Sequence, residues 1–266
     1  FDESTVEQFA KHYEALLRSA LAAPDAALSS LSMLSAAEQQ HLLVNWGSAA
    51  VADSAVVSVS TLNGQFAQAV ARAPDSLALQ DPDGREYSYV ELNRMADSIA
   101  IGLQAQGVQP GSKVGLCAQR SAAAIAAILG VLKTGAAWLS LDPDYPAERL
   151  RTMLGVASPD VVLIEPGFVE LLPQDQAQLS LDADVMSGTN EFIGPVVQAD
   201  AAACVLFTSG STGTPKGVVL GHGGLANYVS QLANETGLVS SGRVLQFASL
   251  NFDISIEEIF VALSSG

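Results

Sequence analysis

The residues best suited to chemistry lie in one short run, Phe207-Thr-Ser-Gly-Ser-Thr-Gly-Thr-Pro-Lys-Gly217. Its glycines let the backbone approach a ligand closely. Its hydroxyls and successive amide N–H groups can donate to phosphate oxygens. Lys216 adds a mobile positive charge. Together these parts suit a phosphate cradle built from Thr208, Ser209, Gly210, Ser211, Thr212, Gly213, Thr214 and Lys216. The run is not a Walker A loop. Counted from Gly210, that motif needs glycine at 215 and Ser or Thr after the lysine, and here stand Pro215 and Gly217. It is not the dinucleotide fingerprint either. A flexible Gly/Ser/Thr surface loop is the other reading of the composition.

Elements on both sides must hold this run in place. Residues 203–207 read as an apolar strand and 223–233 as a helix, so the loop is expected between a strand and a helix. Upstream, the pattern gives a helix opening at Thr61, strands at 77–80 and 86–89 joined by Asp81-Pro-Asp-Gly84, and then alternation. Helix 90–106 precedes strand 113–118, helix 121–133, strand 136–141, helix 146–157 and strand 161–165. Residues 166–200 are punctuated by Gly, Pro and Asp. After the loop, a strand at 243–248 and a helix at 254–263 are expected. Alternation of this kind predicts an α/β fold, a mostly parallel sheet covered by helices.

The first residues form a different block. Phe9, Tyr13, Leu16, Leu17 and Ala20 recur at helical spacing, and Pro24 follows. A second short helix opens at Ser35, with Glu38 placed for a capping box, and carries Leu42, Leu43 and Trp46. Residues 47–59 read as a linker.

Composition narrows the function classes. The chain has 266 residues, 49% of them hydrophobic, and a net charge of −16. With no Lys/Arg run, a nucleic-acid partner is not expected. Apolar stretches such as Ala122–Leu132 are too short to span a bilayer, and the charged, amphipathic start does not read as a signal peptide. Cys117 and Cys204 both lie in apolar runs, as reduced core thiols of a cytoplasmic protein do. No metal-ligand cluster is evident, and His12, His41 and His222 are far apart. His222 either faces the loop's ligand or simply begins a helix. The start at Phe1 and the stop at Gly266 read as the ends of a piece of something longer.

The loop closely resembles the phosphate loop of acyl- and aminoacyl-adenylate-forming enzymes. Three other stretches resemble that family's core motifs in the same order. They are Tyr87-Ser-Tyr-Val-Glu-Leu-Asn93 running on to Val108, Leu132-Lys-Thr-Gly-Ala-Ala-Trp-Leu-Ser-Leu-Asp-Pro-Asp-Tyr-Pro146, and Asn251-Phe-Asp-Ile-Ser-Ile-Glu-Glu-Ile-Phe260. The first two are read as core packing that shapes the fold. Ser140 stands where the family commonly has proline, and Gly221 replaces a usual polar residue.

The Phe252-Asp-Ile-Ser form is similar to the amino-acid-activating branch found in nonribosomal peptide synthetases. The resemblance implies that ATP and an amino acid give aminoacyl-AMP and pyrophosphate, before loading onto the phosphopantetheine of a carrier domain. It gives Lys216 the catalytic role in this chain and Asp253 the pairing with the substrate's α-ammonium, with Phe252 beside it. A zwitterion entering a pocket needs such a carboxylate. A plain helix N-cap is the competing reading of Asp253. Ile254 and Glu257 match positions that line the side-chain pocket. A glutamate there favours a basic, ornithine- or lysine-like substrate; the alternative is that it meets a protein cation or solvent. Residues 1–58 resemble the linker after a condensation domain, and 59–266 the N-terminal part of the large adenylation lobe. The magnesium ligand, the ribose-binding aspartate, the C-terminal lobe with its lysine and the carrier domain are expected beyond Gly266, so the chain alone is expected to be inactive. Its expected partners are the rest of the adenylation domain, an upstream condensation domain and a downstream carrier domain. Rival readings are a coenzyme A synthetase-like activator of carboxylic acids and a non-catalytic interaction fragment.

Overall fold

A computed structural model describes residues 2–46, 61–188, 190–208, 215–238 and 242–265. The chain divides into two compact units, Phe1–Val56 and Val57–Gly266.

In the first unit, α1 spans Glu3–Ala22 and α2 spans Ala36–Gln40. Ser35 and Glu38 form the expected capping box. Ser35 Oγ accepts from Glu38 N at 3.2 Å, and Glu38 Oε2 accepts from Ser35 N at 2.9 Å. The same carboxylate reaches His12 Nε2 of α1 at 3.1 Å and so ties the two helices.

In the second unit, α3 (Leu62–Arg72) is capped by Thr61. Strands β1 (Leu77–Gln80) and β2 (Glu86–Ser88) pair antiparallel, and Gly84 turns the chain between them at φ +89°. A second capping box, Ser88 with Glu91, opens α4 (Tyr89–Ala105). Then follow β3 (Lys113–Cys117), α5 (Ala122–Lys133), β4 (Ala137–Ser140), α6 (Ala147–Ala157), β5 (Val161–Ile164), β6 (Gln178–Ser180) and α7 (Ala183–Met186). The unit continues with β7 (Ala202–Thr208), β8 (Lys216–Gly221), α8 (His222–Thr236) and α9 (Ile254–Ser265). The main sheet has the order β6-β5-β3-β4-β7-β8, and every neighbouring pair is parallel except β7–β8.

The pleat divides each strand between two cores. Val114, Leu116, Trp138, Val161, Leu163, Cys204 and Leu206 face the side that holds α4, α5 and α9. Cys117, Leu139, Val162, Ile164 and Val205 face the side that holds α6. Burial pushes both thiols up to about 12, Cys117 with help from the Glu165 and Asp142 charges, so they stay protonated.

Helix α5 is buried almost all round, which explains its Ala-rich, apolar sequence with Lys133 as its one charge, at the last position. A Cβ at Gly130 would stand 2.9 Å from the Ala96 carbonyl oxygen, so glycine is what lets α4 and α5 approach. Beside this contact Lys133 Nζ meets the buried Asp97 carboxylate at 2.8 Å, and Asn93 Nδ2 donates to its other oxygen at 3.0 Å. Among the described residues no helix is long and apolar enough to cross a membrane.

Two expected elements differ. Residues 242–248 form no strand, because the N–H groups of Phe247 and Ala248 donate to the Glu258 carboxylate in place of a neighbouring strand. Strand β8 was hidden in the sequence by its glycines and begins within the phosphate-loop run, at Lys216. The loop therefore joins two antiparallel strands, not a strand and a helix.

Candidate active site at the strand ends

The chain passes from β3 through α5 to β4 on one face, then through α6 on the other face to β5. The segments leaving β3 and β4 thus diverge, and a crevice opens at the carboxyl ends of these neighbours. Open α/β sheets bind ligands at such switch points. Here the cleft measures about 310 Å3, and its lining includes Arg120, Ser140, Asp142, Phe247, Ser249 and Asn251.

The next strand end belongs to the loop. Trp138 pairs with Cys204 and Leu139 with Val205, so the ends of β4 and β7 lie side by side. Thr208 is exposed at the end of β7 and stands opposite Lys216, the exposed first residue of β8. Ser209, Gly210, Ser211, Thr212, Gly213 and Thr214 lie outside the described residues.

Asp253 immediately precedes α9 and is exposed. Its Oδ1 accepts from the adjacent Ile254 N at 3.0 Å. An N-cap side chain ordinarily accepts from the second or third helical residue, so Asp253 is a cap by place more than by bonding. Its other oxygen has no partner among the described residues. Phe252 and Ile254 are exposed at 59% and 53%, apolar side chains with room for a ligand beside them. Glu257, one turn into α9, is half-buried and accepts from the hydroxyl of Tyr228 on α8. This bond, followed by burial and by the charges of Glu257 and Asp253, pushes the Tyr228 phenol up to about 12. Tyr228 therefore stays neutral and cannot balance the carboxylate's charge. No cation pairs with Glu257 among the described residues.

Sequence reasoning missed Tyr228 and the cluster around Asp142. Tyr228 carried a signal, being polar-tipped on a helix that follows the phosphate loop. Asn251 opened one of the motif stretches but without its partner, and Ser249 and Arg120 carried no signal, since their partners are over a hundred residues away.

His222 does not face the loop's ligand. It is fully buried at the start of α8, where Nδ1 accepts from Leu62 N at 3.3 Å. Gln65 Nε2 reinforces the same α3–α8 contact, donating to Ala226 O at 2.9 Å and Ser230 Oγ at 2.8 Å. Burial lowers the His222 pKa from 6.5 to about 4. Because the folded value is the lower one, the unfolded chain takes up the proton first. Stability is full above pH about 6.5 and is lost as pH falls toward 4. Between pH 7 and pH 5 the loss from this group is about 2 kcal/mol. Urea unfolding at both pH values checks this, with His222→Gln as a variant that keeps an acceptor for Leu62 N. An equal pH dependence in both proteins would refute it.

Residues 66–266 match the family model for the AMP-binding enzyme. The chain belongs to that family. Over its whole length it is 37% identical to chondramide synthase cmdD of Chondromyces crocatus, of which it spans 7%. It is 34% identical to tyrocidine synthase 2 of Brevibacillus parabrevis, of which it likewise spans 7%. The nonribosomal peptide synthetase FmoA3, solved in an AMPPNP-bound form, superposes on the whole chain with a TM-score of 0.84 at 28% identity, and 28% of that protein is covered. AB3403, a four-domain nonribosomal peptide synthetase solved with AMP and glycine, gives 0.80 at 25% identity, with 19% of it covered. The mostly parallel, helix-covered sheet is thus the sheet of an adenylation domain.

Proposed function

We propose that this chain supplies the phosphate loop and the amino-acid-binding edge of an adenylation reaction in a cytoplasmic nonribosomal peptide synthetase. The observation that carries the reading is the shared sheet edge. The loop leaves β7, the strand beside β4, and Asp142, two residues beyond β4, in turn holds the turn that leads into Asp253. The amino acid and the phosphates can therefore meet above one strand end. That FmoA3 and AB3403 were solved with AMPPNP and AMP supports ATP as the second substrate.

In this reading Thr208–Lys216 cradle the β- and γ-phosphates. Lys216 offsets charge as pyrophosphate departs, and Asp253 holds the α-ammonium. The carboxylate of the amino acid then attacks the α-phosphorus, the bond to pyrophosphate breaks, and aminoacyl-AMP results. Such a displacement depends on positioning and charge neutralisation more than on acid–base groups. The product is destined for the phosphopantetheine thiol of a carrier domain. Residues 1–58 serve as the linker from a condensation domain, and 59–266 as part of the large adenylation lobe. Magnesium accompanies ATP in such chemistry. Among the described residues no three His, Cys, Asp or Glu side chains stand together as a metal set, and no step is assigned to the ion.

The side-chain pocket includes Ile254 and Glu257. With only the neutral Tyr228 hydroxyl beside it, Glu257 retains an unmatched charge, which an ω-ammonium would pair. Amino-acid-dependent ATP–pyrophosphate exchange by the full-length protein tests the whole reading. Ornithine or lysine is expected to be preferred, and Glu257→Gln should cut that preference over an apolar amino acid about tenfold. Preference for an apolar amino acid that Glu257→Gln leaves unchanged would rule out the basic substrate. Absence of exchange with every amino acid would rule out the activity.

A further inference from the structure

The segment from Gln246 to Asn251 has no regular structure, yet three separate elements hold it. From α9, Glu258 Oε2 accepts from Gln246 Nε2 at 3.1 Å, Phe247 N at 3.0 Å and Ala248 N at 3.0 Å. From the segment after β3, the Arg120 guanidinium donates to the Phe247 carbonyl. From the end of β4, Asp142 Oδ2 accepts from Ser249 Oγ at 3.0 Å and from Asn251 Nδ2 at 3.3 Å. Ser249 passes this hold onward. Its Oγ accepts from Asn251 N at 3.4 Å, and its carbonyl accepts from Phe252 N at 3.0 Å. Asp253 is the next residue.

We propose that Asp142 is a positioning residue for the amino-acid site: it fixes the Ser249–Phe252 turn and through it the placement of the Asp253 carboxylate. This rests on the reading of Asp253 as the α-ammonium partner. Three features favour Asp142 over Glu258 and Arg120 as the governing contact. Its bonds are the ones nearest Asp253 along the chain. Its other oxygen is anchored by Asp144 N at 3.0 Å, so the carboxylate is itself fixed in its own turn. It also follows β4 by only two residues, so the sheet fixes where its carboxylate stands. Charged acceptors make stronger bonds than neutral ones, and the two donors are neutral, so no compensating cation is required. The second family motif, Leu132–Pro146, then does more than pack the core: its aspartate aims a substrate contact it never touches.

The test is steady-state kinetics of the full-length protein. Asp142→Ala is expected to raise the apparent KM for the amino acid about tenfold, since small misplacements of a binding group are costly. The KM for ATP should stay within about twofold, because the loop springs from β7. Asp142→Asn keeps an oxygen for Ser249 and Asn251 and should recover most of the loss. In an Asp253→Asn background, Asp142→Ala should add little further. If Asp142→Ala does not fold, Asn251→Ala removes one donor from the half-buried turn and should give the same amino-acid-selective rise. Equal rises in both KM values, in either variant, would mark a general loosening and overturn the proposal. If Asp253→Asn raises the amino-acid KM and the Asp142 and Asn251 variants do not, the positioning role alone falls. If Asp253→Asn leaves that KM unchanged, the reading of Asp253 falls and takes this role with it.

Discussion

Asp253→Asn should raise the KM for the amino acid about 100-fold, equivalent to about 2.7 kcal/mol, and leave the KM for ATP nearly unchanged. An ammonium that loses its hydration on entering a pocket needs a carboxylate to offset that cost. Asparagine keeps the shape and the bond to Ile254 N but carries no charge, and its NH2 group faces the ammonium donor to donor. The free enzyme should fold normally, because Asp253 is exposed and its one bond is to its neighbour. A desamino substrate provides the control. An acid that lacks the α-amine has nothing for Asp253 to pair with, so wild type and variant should bind it alike. An Asp253→Asn enzyme whose amino-acid KM stays within about threefold of wild type would show that the ammonium is held elsewhere.

The second large effect belongs to the loop. Changing Gly210 and Gly213 together to valine should lower kcat/KM for ATP by about 1000-fold or more. Backbone amides can close on phosphate oxygens only where no Cβ intervenes, and valine also disfavours the positive φ that tight phosphate loops use. Lys216→Ala should cost less, about tenfold, since it removes one charge on an exposed side chain and leaves the amides in place. Pyrophosphate exchange at varied ATP measures both. A double-valine enzyme with unaltered ATP kinetics would remove the loop from the site.

The layered sheet was legible because its determinants are local. Strands β3, β4 and β5 are short apolar runs, and α4, α5 and α6 have caps or apolar faces that can be read residue by residue. The four motif stretches were legible for the same reason. What escaped depends on partners distant in the chain. Val244, Leu245 and Phe247 give residues 243–248 the apolar, β-prone look of a strand, but Glu258 takes the N–H groups that a strand would offer to its neighbour. Val218 and Val219 are an exception: their partners Leu206 and Val205 in β7 are close in the chain, and glycines on both sides hid the strand. Asp142 reads as part of a core-packing motif until Ser249 and Asn251 meet it from more than a hundred positions away. His222 follows the loop in sequence, which leaves facing a ligand and beginning a helix both open, whereas α3 covers it in space.

The two cysteines lie on opposite sides of the same sheet, Cys204 among the α5-side residues and Cys117 among the α6-side residues. Both are held as protonated thiols, and only the thiolate attacks an alkylating reagent. Each side of the molecule thus contains its own silent reporter, which starts to react only when that side opens to solvent. Labelling at the two positions, resolved by mass after proteolysis, would time the opening of each layer separately. If the sheet parts from one set of helices before the other, two different labelling rates will record it without a single engineered probe.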